Sequence, residues 1–199
     1  YIPNFSSILL TVAFLGLATQ AKVKETRISG IIKEDTVLTK ANSPYRLTSK
    51  LQVAKGVTLT IEPGVTIESS GQFIELFGSL KAIGTKKEPI TLSRVSIVDN
   101  MKANADSIMD LEYLNMKGWA KLSNSRVDHF TLKNSTLQNI DIWLRNHEAT
   151  EQYKGVVEGN TLLNNDFFNV TLSKGILNIQ HNLFHHSKLE IWSLPNAKP

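Results

Sequence analysis

Cysteine is absent from the 199 residues, which excludes disulfides, cysteine-held metals and thiol nucleophiles together. No apolar stretch has the length of a membrane-spanning helix. The run Ile8–Ala18 (ILLTVAFLGLA) falls short of the roughly 20 residues a span requires. Charge of one sign is not concentrated either: the net charge is +4, but Lys50, Lys55, Lys81, Lys86 and Lys87 are scattered through turns. With no basic stripe interleaved with aromatics, nucleic acid is excluded as a partner. An anionic polysaccharide or a charged envelope surface stays compatible with the excess of positive charge. The first 21 residues carry no charge, so 1–21 reads as a signal peptide cut before Lys22, after the small residues Thr19 and Ala21. Without an initiator Met or a basic leader start, the sequence is expected to begin inside that leader. The competing reading of 1–21 is a helix capping the fold. The remainder, 22–199, is expected to form one domain.

What is present is repetition. Adding 23 carries Val57 to Leu80, Leu59 to Ala82, Ile67 to Ile90 and Ile74 to Ile97. Adding 22 carries Val157 to Ile179, Asn160 to Asn182, Leu162 to Phe184, Phe167 to Leu189 and Leu172 to Leu194. Within VTLTI (57–61) the apolar side chains alternate with threonine, which places Val57, Leu59 and Ile61 on one face of a strand. Turns at Lys55-Gly56, Pro63-Gly64, Ser69-Ser70-Gly71 and Gly84-Thr85 break the strands. Hairpins of an antiparallel sandwich would use similar turns, but their inward positions have no reason to recur at one offset. Stacked coils do, because each side chain lies above its predecessor. The expected fold is therefore all-β, a single-stranded right-handed parallel β-helix, a solenoid of roughly seven coils between Leu47 and Trp192. At about 4.8 Å per coil it is on the order of 30 Å long.

Two polar segments interrupt the pattern, Val98–Ser107 and Arg145–Lys154, and both are expected to loop out. Between Ala120 and Leu144 apolar residues fall every five, at Leu122, Val127, Leu132, Leu137 and Ile142. That spacing resembles pentapeptide repeats, but Phe130 and Ile140 are large where such repeats want small side chains, so the stretch reads as two tight coils. The opening segment and the tail Pro195–Pro199 are the candidates for covering the exposed strand edges at the two ends.

The run SPYRLTSKLQVAKGVTLTIEPGVTI (Ser43–Ile67) resembles the first coils of bacterial right-handed parallel β-helix proteins of the pectin-lyase-like type, especially exported surface proteins. GSLKAIGTKKEPITL (Gly78–Leu92) and SIMDLEYL (Ser107–Leu114) are similar to later pieces of the same family. The resemblance implies the fold and leaves the activity open, because lyases, hydrolases, epimerases and adhesins share it.

Enzymes of that family work with carboxylates, basic residues or calcium in a groove. The acidic grouping Asp99, Asp106 and Asp110, with Asn100 and Asn104, is the candidate for a hard cation or a polysaccharide. Polar loops gather Asp and Asn for backbone reasons as well. The paired aspartates and Gly-His-Gly of polygalacturonases are missing, as is a pectate-lyase-like aspartate array. His181, His185 and His186 crowd one coil, yet adjacent strand residues face opposite ways, so His185 and His186 cannot share a site if that stretch is extended. His147-Glu148 lacks a second histidine at helical spacing. Asn160 and Asn182, with Asn124 and Asn134 before serines, fit amide ladders. Trp192, 22 residues after Val170, is expected inward or end-capping. Trp119, Trp143 and Tyr153 have no clear inward register and could stack on sugar rings. Thr58, Thr60 and Thr66 do not extend into a flat ice-binding lattice.

These readings assign no catalytic or metal-binding residue, no cofactor and no membrane span in the mature chain. They point to an exported scaffold or adhesin-like protein, secreted, periplasmic or at the cell surface, that contacts a polysaccharide or envelope component. A small polysaccharide lyase, hydrolase or epimerase is the alternative, and a coil module cut from a larger surface protein is another.

Overall fold

The computed structural model describes residues 24–100, 106–127, 129–146, 153–172 and 174–193. The expected leader, Asn104, His147, Glu148, Leu194 and the tail lie outside these residues. Nineteen strands form among the described residues, all in parallel pairings. β1 (Thr26–Ile32) precedes the first coil, which holds β2 (Thr36–Leu38) and β3 (Tyr45–Val53). The second coil holds β4 (Thr58–Ile61), β5 (Thr66–Ser69) and β6 (Phe73–Leu76), and the third β7 (Ser79–Ile83), β8 (Ile90–Ser93) and β9 (Ser96–Asp99). The fourth has β10 (Ile108–Glu112) and β11 (Leu114–Asn124), the fifth β12 (His129–Lys133) and β13 (Thr136–Asn146). The sixth has β14 (Lys154–Glu158), β15 (Thr161–Leu163) and β16 (Phe168–Leu172), and the seventh β17 (Ile176–Gln180), β18 (Leu183–His185) and β19 (Leu189–Ser193).

Each coil contributes one strand to a seven-stranded sheet, the first face. Its remaining strands join a twelve-stranded sheet folded into a second and a third face. β3, β11 and β13 are long enough to run across the corner between those two faces. A side chain alternates in and out along every strand, so inward residues stack into columns. One column runs Ile61, Ala82, Leu111, Leu132, Val157 and Ile179 through the first face. Ile74, Ile97, Leu122, Ile142, Phe168 and Leu189 run through the third. All of these except Ile179 and Leu189, in the seventh coil, are buried. Burying such side chains stabilises by about 1.5–3 kcal/mol each.

The parallel solenoid and its seven coils match the expectation, but several offsets do not. Leu80 pairs with Leu59 and Ala82 with Ile61, a step of 21, rather than with Val57 and Leu59. Ile67 pairs with Leu92, a step of 25, rather than with Ile90. Ile74 to Ile97 holds at 23. The turns differ in length by two residues from face to face, and an even change leaves every inward residue inward, so the pattern survives while the partners change.

The late repeat fails differently. Val157 to Ile179 and Leu162 to Phe184 hold at 22. On the third face the step is 21, pairing Phe168 with Leu189 and Thr171 with Trp192. Losing one residue at the corner reverses the side chain's face. Leu189 therefore stands over Phe168 rather than Phe167, which is 47% exposed, Leu172 pairs with Ser193, and Trp192, over Thr171, is 61% exposed rather than inward or capping.

The tight coils are as expected, since β10 pairs with β12 at a step of 21, and Leu122 with Ile142 at 20. Tyr153, without a readable register, is core. Gly155 stands in the column between Phe130 and Leu177, and a Cβ there would approach the Tyr153 hydroxyl oxygen to 2.7 Å. The glycine makes room for the ring.

Candidate functional site

Most of the polar candidates turn out to hold the coils together. Asn160 donates to Leu132 O at 2.8 Å and to Asn182 Oδ1 at 2.9 Å, and its own Oδ1 accepts from Ser135 N–H at 2.9 Å. Asn182 donates to Val157 O, and Ser135 Oγ accepts from Leu114 N–H. This ladder crosses the corner between the first and second faces through four coils. Asn124 instead closes a local turn with Val127, and Asn134 reaches Glu112 Oε1 at 3.1 Å. A second ladder, missed in the sequence, joins Asn165 to Leu137 O, Ile140 N–H and Ser187 Oγ. The same 22-residue step that links Asn160 to Asn182 links Asn165 to Ser187.

The acidic grouping is dispersed. Asp99 ends β9, 9% exposed, with Oδ2 accepting from Ser125 N–H at 2.6 Å and Arg126 N–H at 2.7 Å. Burial pushes its carboxyl above the ordinary value of 3.8, against those two hydrogen bonds. Asp106 lies exposed in the turn before β10, and Asp110 points outward within it. Among the described residues no group of His, Asp and Glu is placed to hold a metal. His181 and His186 occupy successive corners in the left-handed conformation, φ 55° and 48°. The strand ends at His185 and His186 is left-handed, so the stretch is not extended there and the His185 and His186 rings meet at 4.1 Å.

The feature that assembles is aromatic. All three tryptophans of the chain point outward from one face, the third, in coils four, five and seven. Trp119 sits at the corner opening that face of β11, opposite Asn139, 77% exposed and at φ 40°, where the register shifts. A bulky residue held there costs about 1–3 kcal/mol. Trp143 on β13 stacks on Phe167 at 5.7 Å, with the Arg145 guanidinium 3.9 Å and Lys121 Nζ 5.5 Å from its ring centre. Trp143, Arg145, Phe167, Asn169, Glu190 and Trp192 line an open groove of about 380 Å³, within the usual range for a small-molecule site. A second groove of about 270 Å³ adjoins Trp119, Lys121 and Asp141. Asp141 is pushed up by burial and by the charge of Asp166, against Lys121. Glu190 is held down by its ion pair with Lys188, with hydrogen bonds from Trp192 and Asn169 helping. Flat apolar rings edged by planar hydrogen-bonding groups suit a ligand with apolar faces and hydroxyl rims.

No helix among the described residues is long and apolar enough to cross a membrane. Residues 30–107 match the family model described as a pectate-lyase like beta helix domain. The chain is also similar to Protein bark beetle of Drosophila melanogaster, 39% identical over 74 residues, which is 37% of this chain and 2% of that protein. The chain thus spans a very small part of that curated relative. No solved structure matches it.

Proposed function

Because residues 30–107 belong to the pectate-lyase-like β-helix family and the winding continues through the seventh coil, we propose that this β-helix is an exported, non-catalytic scaffold of structural or adhesive use. It holds carbohydrate of a cell surface or envelope against its third face. The observation that carries the reading is the convergence of Trp119, Trp143 and Trp192 on that face. A scaffold of stacked coils is rigid where its ladders are satisfied, and a rigid platform loses little entropy on binding. Strain at Trp119 fits the same reading, since the fold pays for an exposed ring in an unfavourable backbone state. Export is read from the apolar run Ile8–Ala18. Affinity electrophoresis of the full chain through gels holding different polysaccharides tests the proposal. At least one polymer should retard it, and W143A and W192A should restore mobility. Unretarded migration in every polymer removes carbohydrate contact from the account.

One observation favours a second reading, glycoside cleavage. The charge of Asp166 helps to raise the carboxyl of Asp141, which lines the groove beside Trp119, and two carboxylates near a bound sugar can act as acid and base. Release of reducing ends from a retained polymer, lost in D141N with retention unchanged, would replace the non-catalytic reading.

A further inference from the structure

Two described segments carry the acceptor pattern for an N-linked glycan, Asn-x-Ser/Thr with x other than proline: Asn134-Ser135-Thr136 and Asn169-Val170-Thr171. A third, Asn4-Phe5-Ser6, lies in the expected leader, outside the described residues. Such triplets recur by chance in a chain rich in asparagine, serine and threonine, so what matters is where the fold leaves each amide. The two are left in opposite states.

Asn169 is 9% exposed on the third face, its Oδ1 accepting from the Thr171 hydroxyl at 3.3 Å and its amide donating to Glu190. A sugar on that nitrogen would break the Glu190 contact and fill the aromatic groove that Asn169 lines. Asn134 instead stands exposed at the corner between the first and second faces, in the left-handed conformation at φ 49°. Its backbone N–H is held by Glu158 O at 3.0 Å, and Nδ2 donates to Glu112 Oε1 at 3.1 Å. An amide nitrogen has two hydrogens, so a glycosidic bond takes one and leaves the other for Glu112.

The coils above and below clear a space around this side chain. One coil up the corner is Gly159, at φ 67°, where a Cβ would come within 2.8 Å of Asn134 Oδ1. One coil down it is Tyr113 at φ 50°, a backbone state that bulky residues rarely adopt and that clusters at functional positions. With the loop between β7 and β8, these corners enclose an open groove of about 460 Å³, lined by Thr85, Lys86, Tyr113, Asn115, Asn134 and Gly159. It has the size of a small-molecule site, and it opens at the root of an acceptor asparagine.

Resting only on the export proposed above, we infer that Asn134 carries an N-linked glycan whose first N-acetylhexosamine is seated in this groove. In the transfer, Nδ2 attacks the anomeric carbon of a lipid-diphosphate-linked oligosaccharide, the donor that a transferase of the secretory membrane presents. The C1–Nδ2 bond forms, the C1–O bond to the diphosphate breaks with its electron pair on the leaving oxygen, and Nδ2 gives up one proton. In the folded chain Tyr113 offers its ring to the apolar side of the sugar, while Thr85, Lys86 and Asn115 offer hydrogen bonds to its hydroxyl and acetamido groups. The glycan stands at the corner opposite the third face and leaves the tryptophans uncovered.

Secretion of the full chain from insect cells behind a vector signal peptide makes the result independent of the chain's own leader. Peptide mapping after peptide-N-glycosidase treatment in heavy-oxygen water should find Asn134 converted to labelled aspartate and Asn169 unmodified. N134Q should lose the glycan and its shift in electrophoretic mobility, and T136A, which keeps Asn134 in place, should lose them too. N169Q should change nothing. The seat is read by timing: the glycosidase should act more slowly on the folded chain than on the denatured one. Y113A should hasten release from the folded chain about 2- to 10-fold, the size of one aromatic contact. Unmodified Asn134 in chain recovered from the medium would overturn the inference, and so would a glycan on Asn169. Release at one rate from folded and denatured chain, unaffected by Y113A, would overturn the seat. Free migration of the glycosylated chain through every polysaccharide gel would remove carbohydrate contact from the third face and leave the Asn134 glycan standing.

Discussion

Coils one to three and coils four to seven use one winding and present different third faces. In the early coils the third face carries the ion pair of Lys50 with Glu75 at 2.9 Å, while Arg46 with Glu25 and Glu68 stands on the second face and Lys40 pairs with Glu88 at the corner before it. Burial works to raise the Glu75 carboxyl, but hydrogen bonds from Lys50 and Asn100 outweigh it and leave the group below its ordinary range. In the later coils the corresponding surface carries Trp119, Trp143, Phe167 and Trp192, and its carboxyls are split, Asp141 raised and Glu190 lowered. The family match, 30–107, stays with the early coils. The repeated sequence therefore defines the scaffold, and the surface that distinguishes this chain is laid over coils the family model does not reach.

If the two regions share one core, removing a core side chain should cost the same in either. L80A and L132A should each lose about 2–5 kcal/mol in urea unfolding, in a single transition with equal slopes. Two separate transitions would break the comparison by making the regions independent. The ladders sharpen it, because they belong to the later coils. N160A leaves the Ser135 N–H and the Leu132 carbonyl without their side-chain partner, at about 1–3 kcal/mol per stranded buried group, whereas T60A in an early coil, outward and half-buried, should stay within about 0.5 kcal/mol.

W119G should stabilise by about 1 kcal/mol, since glycine adopts the left-handed backbone freely, while the same change removes the ring from the binding face. Gain of stability with loss of sugar binding, in one variant, would separate the scaffold from its use.

The smallest effect is a slope. Asp99 has a folded-state value above its unfolded one, so folding takes up a proton between the two. Its stabilising contribution is full below the ordinary carboxylate value and is lost as pH rises through the raised one. Glu75, lowered, runs the other way, losing its contribution as pH falls. D99N keeps an acceptor for Ser125 and Arg126 N–H and is never ionised. It should match or exceed the parent's stability at pH 7 and lose that margin on acidification toward pH 4. A margin that grows on acidification would contradict the assignment.

The scaffold was legible because inward alternation tolerates even changes in step: Leu59, Ile67 and Leu80 were placed inside even with the wrong partners. The site was not legible for the complementary reason. One residue fewer in the corner after Ser187 than in the corner after Asn165 puts Trp192 over Thr171 instead of Val170, and so outward, and nothing in the spacing of hydrophobic residues distinguishes a step of 21 from 22 there. Trp119 owes its exposure to a register shift beside Gly118, equally silent in sequence. Asn160 and Asn182 were readable as a ladder because buried amides recur wherever the corner does. Asp99, grouped in sequence with Asp106 and Asp110, was separated from them by the strand end that buries it.

Because all three tryptophans share the proposed binding surface, indole emission reports on that surface alone. In a titration of the full chain with the polysaccharide that retards it, the account predicts a saturable shift in emission and protection from iodide quenching, diminished in W143A and W192A and untouched by E75Q or K81A. Sugar binding that leaves the indoles as quenchable as before, and that E75Q abolishes, would place the ligand on the early coils and contradict it.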